Sequence, residues 1–124
     1  MVLTDTFLTA MAKAINNESY NVVSHLAVTS DTSFEASTSA TNIGSELGTR
    51  EATSNTRSGT TVTFSAIRSG ADVIDTTSGD TLTGLGYFDA VSGDGLHTNI
   101  ELPSVNQTTG FDIEFDLELT PQRR

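Results

Sequence analysis

Cysteine and tryptophan are absent from this chain, and lysine occurs once, at Lys13. Without cysteine, disulfides, thiolate zinc sites and cysteine nucleophiles are excluded. Basic residues are scarce altogether: six against sixteen acidic ones, for a net charge of −10. Such a chain repels nucleic acid and anionic membrane, because contacts to phosphate need Lys and Arg. Long apolar runs are also missing. Nothing approaches the ~20 residues of a membrane span, so no membrane insertion is expected. The first fifteen residues have neither a basic stretch nor an unbroken apolar core, so they do not read as a secretory signal. The chain is therefore expected to be made in the cytoplasm and to stay there, or to leave inside something larger.

The excess of carboxylates has a physical setting in which it makes sense. At molar salt the Debye length is only ~3 Å, so repulsion among surface carboxylates is largely screened. Carboxylates also hold water, whereas Lys stems add apolar surface. Scattered Asp and Glu with one Lys therefore point to a protein that works in brine.

What the chain does contain is hydroxyl. It has 21 Thr and 14 Ser, while hydrophobic residues make up 35%, below the ~45–50% apolar content usual for globular domains. Thr, Val and Ile favour the pleated sheet, and 124 residues suffice for one core. A single domain of mainly β structure follows. The run "LTDTFLTAMAKAINN" is the exception. Phe7, Leu8, Met11, Ala12 and Ile15 form one stripe, Thr4 or Asp5 can cap it, and Asn16 and Asn17 can stop it. A helix over residues 5–16 is predicted, and at about three turns it must dock on something.

The rest reads as strands and loops. "YNVVSHLAVT" is apolar on both faces, as in a strand covered on both sides, with the helix as one candidate cover. Residues 30–59 dissolve into Ser, Thr, Gly and Asn around Phe34, Ile43 and Leu47. Loops of that length are rare unless they perform a function, so this one is expected to contact a partner. "TTVTFSAI" alternates again, with Val62, Phe64 and Ala66 on one face, and a short strand is expected around Val73 and Ile74. In "LTGLGYFDAVSGDGLHTNIELPS" two strands flank a turn. Leu96, Thr98, Ile100 and Leu102 are read as the inward face of the second, and Gly84 and Gly86 signal a bulge or a close backbone approach. "FDIEFDLEL" alternates without error, predicting a strand over residues 111–119 that buries Phe111, Phe115 and Leu117 and exposes Asp112 and Glu114. The whole predicts a small antiparallel β-sandwich, jelly-roll-like, with one short N-terminal helix.

Reactive constellations are hard to find. His25 and His97 are the only histidines, both on predicted strands, and no G-x-S-x-G elbow accompanies them. Asp80, Asp89 and Asp94 are weak candidates for an oxygen-ligated metal, and their spacing does not match an EF-hand. The strip Asp112, Glu114, Asp116, Glu118 is evenly exposed, whereas paired catalytic carboxylates need unequal environments. No enzyme activity and no cofactor are expected. Sugar sites usually present exposed aromatics, and here the tyrosines are Tyr20 and Tyr87 alone.

The segment "GLGYFDAVSGDGL", with its short opening helix, its "YNVVSHLAVT" strand and its Thr-rich middle, resembles small virion proteins of tailed viruses that carry a "GLFDA-x-GG-x-L" hairpin near the C-terminus. Asp94 stands where that hairpin usually has a second glycine, and "HTNIELP" is more polar than the strand that usually follows. The resemblance implies a tail-fibre, tail-collar or head-decorating protein. With the acidic composition, it implies a virus of a halophilic archaeon, assembled in the host cytoplasm and located in the virion. Its partners would be other capsid or tail subunits and further copies of itself in a symmetric homo-oligomer. The alternative is a receptor- or carbohydrate-binding module at the virion surface. Expected interface residues are Phe34, Ile43, Leu47 and those of the N-terminal helix, with Arg50, Arg57 or Arg68 meeting carboxylates across the boundary. The two arginines of the terminal "PQRR" can do the same.

The charge composition makes one prediction. Thermal melts in low and in multimolar KCl should show the midpoint rising with salt as carboxylate repulsion is screened; a flat or falling midpoint would require another reason for the acidity.

Overall fold

The computed structural model describes residues 1–122, so the arginines at 123 and 124 lie outside the described residues. The protein is mainly β, built from two antiparallel sheets and one helix near the N-terminus. In chain order the elements are β1 (Val2–Leu3), α1 (Asp5–Ile15), β2 (His25–Thr29), β3 (Glu51–Ala52), β4 (Ser54–Ser58), β5 (Thr61–Arg68), β6 (Asp80–Phe88), β7 (Leu96–Gln107) and β8 (Ile113–Leu119). The larger sheet has the order β1-β7-β6-β2-β3 and the smaller one β4-β5-β8.

Alternation sets the smaller sheet. Phe64 pairs with Leu117 and Ala66 with Phe115, so the apolar faces of β5 and β8 coincide and Glu114, Asp116 and Glu118 point to water. These side chains meet Leu26, Val28, Leu82, Leu85 and Tyr87 of the larger sheet in the main core. The strand is shorter than its sequence pattern. Its pairing ends at Arg68 opposite Ile113, and Phe111 lies ahead of it with no partner strand, 47% exposed. β8 is also an edge strand, and its outward carboxylates guard that edge against further pairing.

The larger sheet is covered on both faces, as "HLAVT" predicts: Leu26, Ala27, Val28 and Thr29 are all buried. The second cover is not the helix. It is the segment of residues 30–50, which lies on the chain's own sheet with Phe34, Ala40 and Ile43 against Ala27, Phe88 and Leu96. The segment is fastened by the Leu47 N–H donating to the Val28 carbonyl at 2.9 Å and by a bridge between Thr29 and Glu46. Gly84 and Gly86 make this cover possible. A Cβ on Gly84 would lie 2.3 Å from the Phe34 ring, and one on Gly86 would lie 2.7 Å from Ile43. The bulge expected here is present too, between Leu82 and Gly84, where β7 passes through Pro103 and Ser104, the latter at φ 62°.

Two expectations fail for identifiable reasons. No strand forms around Val73 and Ile74, because the Asp80 carboxylate accepts the Ile74 and Asp75 N–H groups at 2.9 and 3.0 Å and folds the backbone into a loop. β2 begins at His25 and not at Tyr20: Ser24 still donates to the Phe88 carbonyl and accepts from the Thr53 N–H, but Tyr20 and Val22 ahead of it are exposed. The helix itself matches its predicted bounds. Thr4 caps it, accepting the Phe7 N–H at 3.3 Å, and Asn17 closes it at φ 56°. Yet none of its residues is buried.

Gly84→Ala should destabilise the protein by about 1–3 kcal/mol through overpacking against Phe34. In a Phe34→Ala background most of that cost should vanish. Urea unfolding of the four proteins of the cycle checks it.

Candidate functional site

The residues singled out as interface candidates are distributed unexpectedly. Ile43 is buried and Phe34 and Leu47 are half-buried, all packed against the chain's own sheet. Arg50 is buried within the fold as well. Its guanidinium lies 3.5 Å from the centre of the Phe88 ring, grips both oxygens of Glu46 at 2.8 and 2.9 Å, and donates to the carbonyls of Ala90 and Gly93. It therefore clamps the β6–β7 turn to the covering segment. Arg68, 2% exposed, donates to Asp80 and to Gln107, each at 2.8 Å. Both arginines are thus buried and bonded within their own chain. Arg57 is exposed and donates to the Gly59 carbonyl.

Nor are the three aspartates considered for metal brought together. Asp80 is held by Arg68 and two backbone N–H groups, Asp89 by His97, and Asp94 accepts from Asn42 at 3.3 Å. Among the described residues no three His, Cys, Asp or Glu converge. Burial alone would raise the Asp80 carboxyl, but the Asp75 and Ile74 N–H groups and Arg68 outweigh it and hold the group below its ordinary range. Tyr87 is buried, its hydroxyl pushed up to about 12 mainly by desolvation, so of the two tyrosines only Tyr20 is available at the surface.

The candidate site is instead the groove beneath α1. Thr4 fixes the helix by its start rather than by its face: its N–H donates to the His97 carbonyl at 2.9 Å, and its hydroxyl donates to the carbonyls of Leu96 and His97. The helix body then faces residues 20–23 and β5 across open space. Between Phe7, Met11 and Ala14 above and Val22, Val62 and Phe64 below runs an apolar groove of about 320 Å³. On the other side of the helix a polar hollow of about 340 Å³ is lined by Thr6, Thr9, Lys13 and Asp89. Ala10, Tyr20, Asn21 and His97 line both.

His97 is the residue that the sequence reading passed over. Tyr87 pairs with Thr98 and Phe88 with Leu96, so His97 is the extra residue of a β-bulge. That shift sends Leu96 to the outer cluster with Phe88 instead of the inward face with Ile100, and it aims His97 under the helix, edge-on to the Phe7 ring at 6.0 Å. The imidazole is 3% exposed, and its Nε2 lies 3.0 Å from an Asp89 carboxylate oxygen. Gly95 makes room for Asp89: at φ 116°, a Cβ there would lie 2.1 Å from Oδ1. Aspartate, glycine and bulge together orient the ring. The other histidine, His25, is half-buried at the start of β2, its Nδ1 2.8 Å from the Ser24 hydroxyl.

No protein-family model, curated protein or solved structure matches this chain. The site is therefore read from its own geometry. Among the described residues no helix is long and apolar enough to cross a membrane.

One further carboxyl, that of Glu51, is perturbed. Partial burial, then a hydrogen bond and the charge of Asp72, push the Glu51 carboxyl up to about 7, against a smaller opposing pull from Arg68. A carboxyl raised in the folded state contributes stability at pH below its ordinary value of 4.5 and loses it as pH climbs through about 7. Glu51→Gln should abolish that decline and melt higher than the parent at pH 8, measured by thermal melts from pH 4 to 8.

Proposed function

We propose that the protein is a non-enzymatic structural subunit of a virion, on the capsid or tail surface of a virus with a halophilic host. In this reading it acts as one copy within a symmetric homo-oligomer. The observation that carries the reading is an apolar surface left uncovered by the fold. On α1, Leu8, Met11 and Ile15 are 54%, 44% and 85% exposed, and beside them Tyr20 and Val22 are 49% and 57% exposed.

An exposed apolar strip on so acidic a chain calls for a covering surface, and a second copy supplies one of matching character. Between copies of net charge −10, like charges placed face to face cost energy. An apolar contact avoids that cost, and strong salt screens the charges around it. Rotational symmetry closes such contacts into a ring or a dimer. The receptor- or carbohydrate-binding alternative has less to stand on, since Tyr20 is its one surface tyrosine.

Light scattering in multimolar KCl should give the mass of a closed oligomer. Leu8→Gln combined with Ile15→Gln should return a folded monomer, its circular dichroism unchanged and its melting temperature lower by the lost association. A monomeric parent under these conditions, or a double variant that still assembles, would sink the proposal.

A further inference from the structure

We propose that the groove beneath α1 is a binding site for a neutral small molecule with a compact ring-sized apolar body and one hydroxyl group, and that His97 receives that hydroxyl. This inference goes beyond assembly, and it requires that any contact between copies leave the groove open, since Met11, Tyr20 and Val22 belong both to its lining and to the exposed strip.

The argument begins with the unused nitrogen of His97. Its Nε2 faces Asp89 at 3.0 Å, while Nδ1 has no hydrogen-bond partner among the described residues. Every fully enclosed side-chain polar atom of those residues does have a partner, so Nδ1 must reach open space. The ring lines both the apolar groove and the polar hollow, the open spaces within its reach. An ionised carboxylate can only accept, so in the neutral ring the proton sits on Nε2 and Nδ1 presents a lone pair. A nearly buried acceptor in the wall of an apolar groove selects a ligand that brings a donor. Burying that nitrogen without one would leave it unsatisfied.

Surrounding charges narrow the head group. The polar hollow carries the Lys13 ammonium against the carboxylates of Asp5 and Asp89. That balance disfavours an anion. A hydroxyl meets the site from both directions: its proton goes to Nδ1, and its oxygen accepts from Lys13 or the Asn21 amide. The apolar body then lies between Phe7 and Met11 on the helix and Val62 and Phe64 on the sheet. At about 320 Å³, the groove stands at the lower end of small-molecule sites, which run from ~300 to ~1,000 Å³. The bulge, Gly95 and Asp89 hold His97 in place before any ligand arrives, which limits the ordering cost of binding.

The test uses three probes of one shape, 2-naphthol, naphthalene and 2-naphthoate, titrated into the full chain with isotope-detected NMR of the amides and of the histidine ring nitrogens. Saturable binding of 2-naphthol is expected, with shifts centred on Phe7, Met11, Tyr20, Val22 and His97 and a response at the unprotonated Nδ1 of His97. Naphthalene, lacking the donor, should bind about tenfold more weakly, and 2-naphthoate more weakly than 2-naphthol. Met11→Trp, at a partly exposed helix position, should fill the groove and abolish binding while the protein stays folded. The proposal is overturned by any of four results: naphthalene binding as tightly as 2-naphthol, shifts centred elsewhere, a proton on Nδ1 of His97 in the free protein at neutral pH, or no response because a second copy already occupies the groove. Light scattering on the same samples separates that last result from a failure of the assembly reading.

Discussion

The close approach of Phe34 and Ile43 to the bare backbone of Gly84 and Gly86 is the contact on which the other parts depend. It lets residues 30–50 lie flat on the larger sheet and bury its outer face. A laid-down segment in turn delivers Glu46 and Arg50 to the edge of β6. Arg50 then stacks on Phe88 and holds the Ala90 and Gly93 carbonyls. A clamped turn keeps Asp89 beside Gly95, and Asp89 keeps His97. Packing of two aromatic and aliphatic side chains on glycine is thus linked, through one buried cation, to the orientation of an imidazole on the other side of the sheet.

The same chain of contacts explains how the protein uses its few cations. Arg50 and Arg68 are almost fully buried: Arg50 is bound to Glu46 and to the Ala90 and Gly93 carbonyls, and Arg68 to Asp80, the Gln107 amide oxygen and the Asp72 carbonyl. Removing one member of such a buried pair leaves an unpaired charge, which is far more costly than an exposed pair is stabilising. The arginines therefore act as internal ties for irregular segments. Salt would screen ion pairs at the surface and leave these buried ones largely intact.

α1 takes an unusual position because its attachment is at one end. Thr4 serves as helix cap and as a link to β7 through the Leu96 and His97 carbonyls, so the helix needs no buried face to stay in place. The stripe of Phe7, Met11 and Ala14 roofs a groove instead of filling a core, and Leu8 and Ile15 remain open to solvent. A stripe normally read as a core contact is thereby available for a ligand or another copy.

Short-range physics fixes what the sequence determines by itself here. Period-two alternation sets the faces of β5 and β8, and the Thr4 cap and Asn17 stop set the helix ends. Hydroxyl-rich, β-branched composition sets the class. Each of these depends on neighbours a few residues apart. The covering role of residues 30–50, the internal partners of Arg50 and Arg68, and the loop at Val73 depend on groups far apart in the chain, and no local pattern marks them. His97 shows the reason most directly. Its direction follows from one inserted residue between the pairs Phe88 with Leu96 and Tyr87 with Thr98. A single-residue bulge reverses which face each later side chain takes, so the alternation that correctly gave β8 misplaced Leu96. Only the paired strands decide where the bulge falls, and with it where the site is.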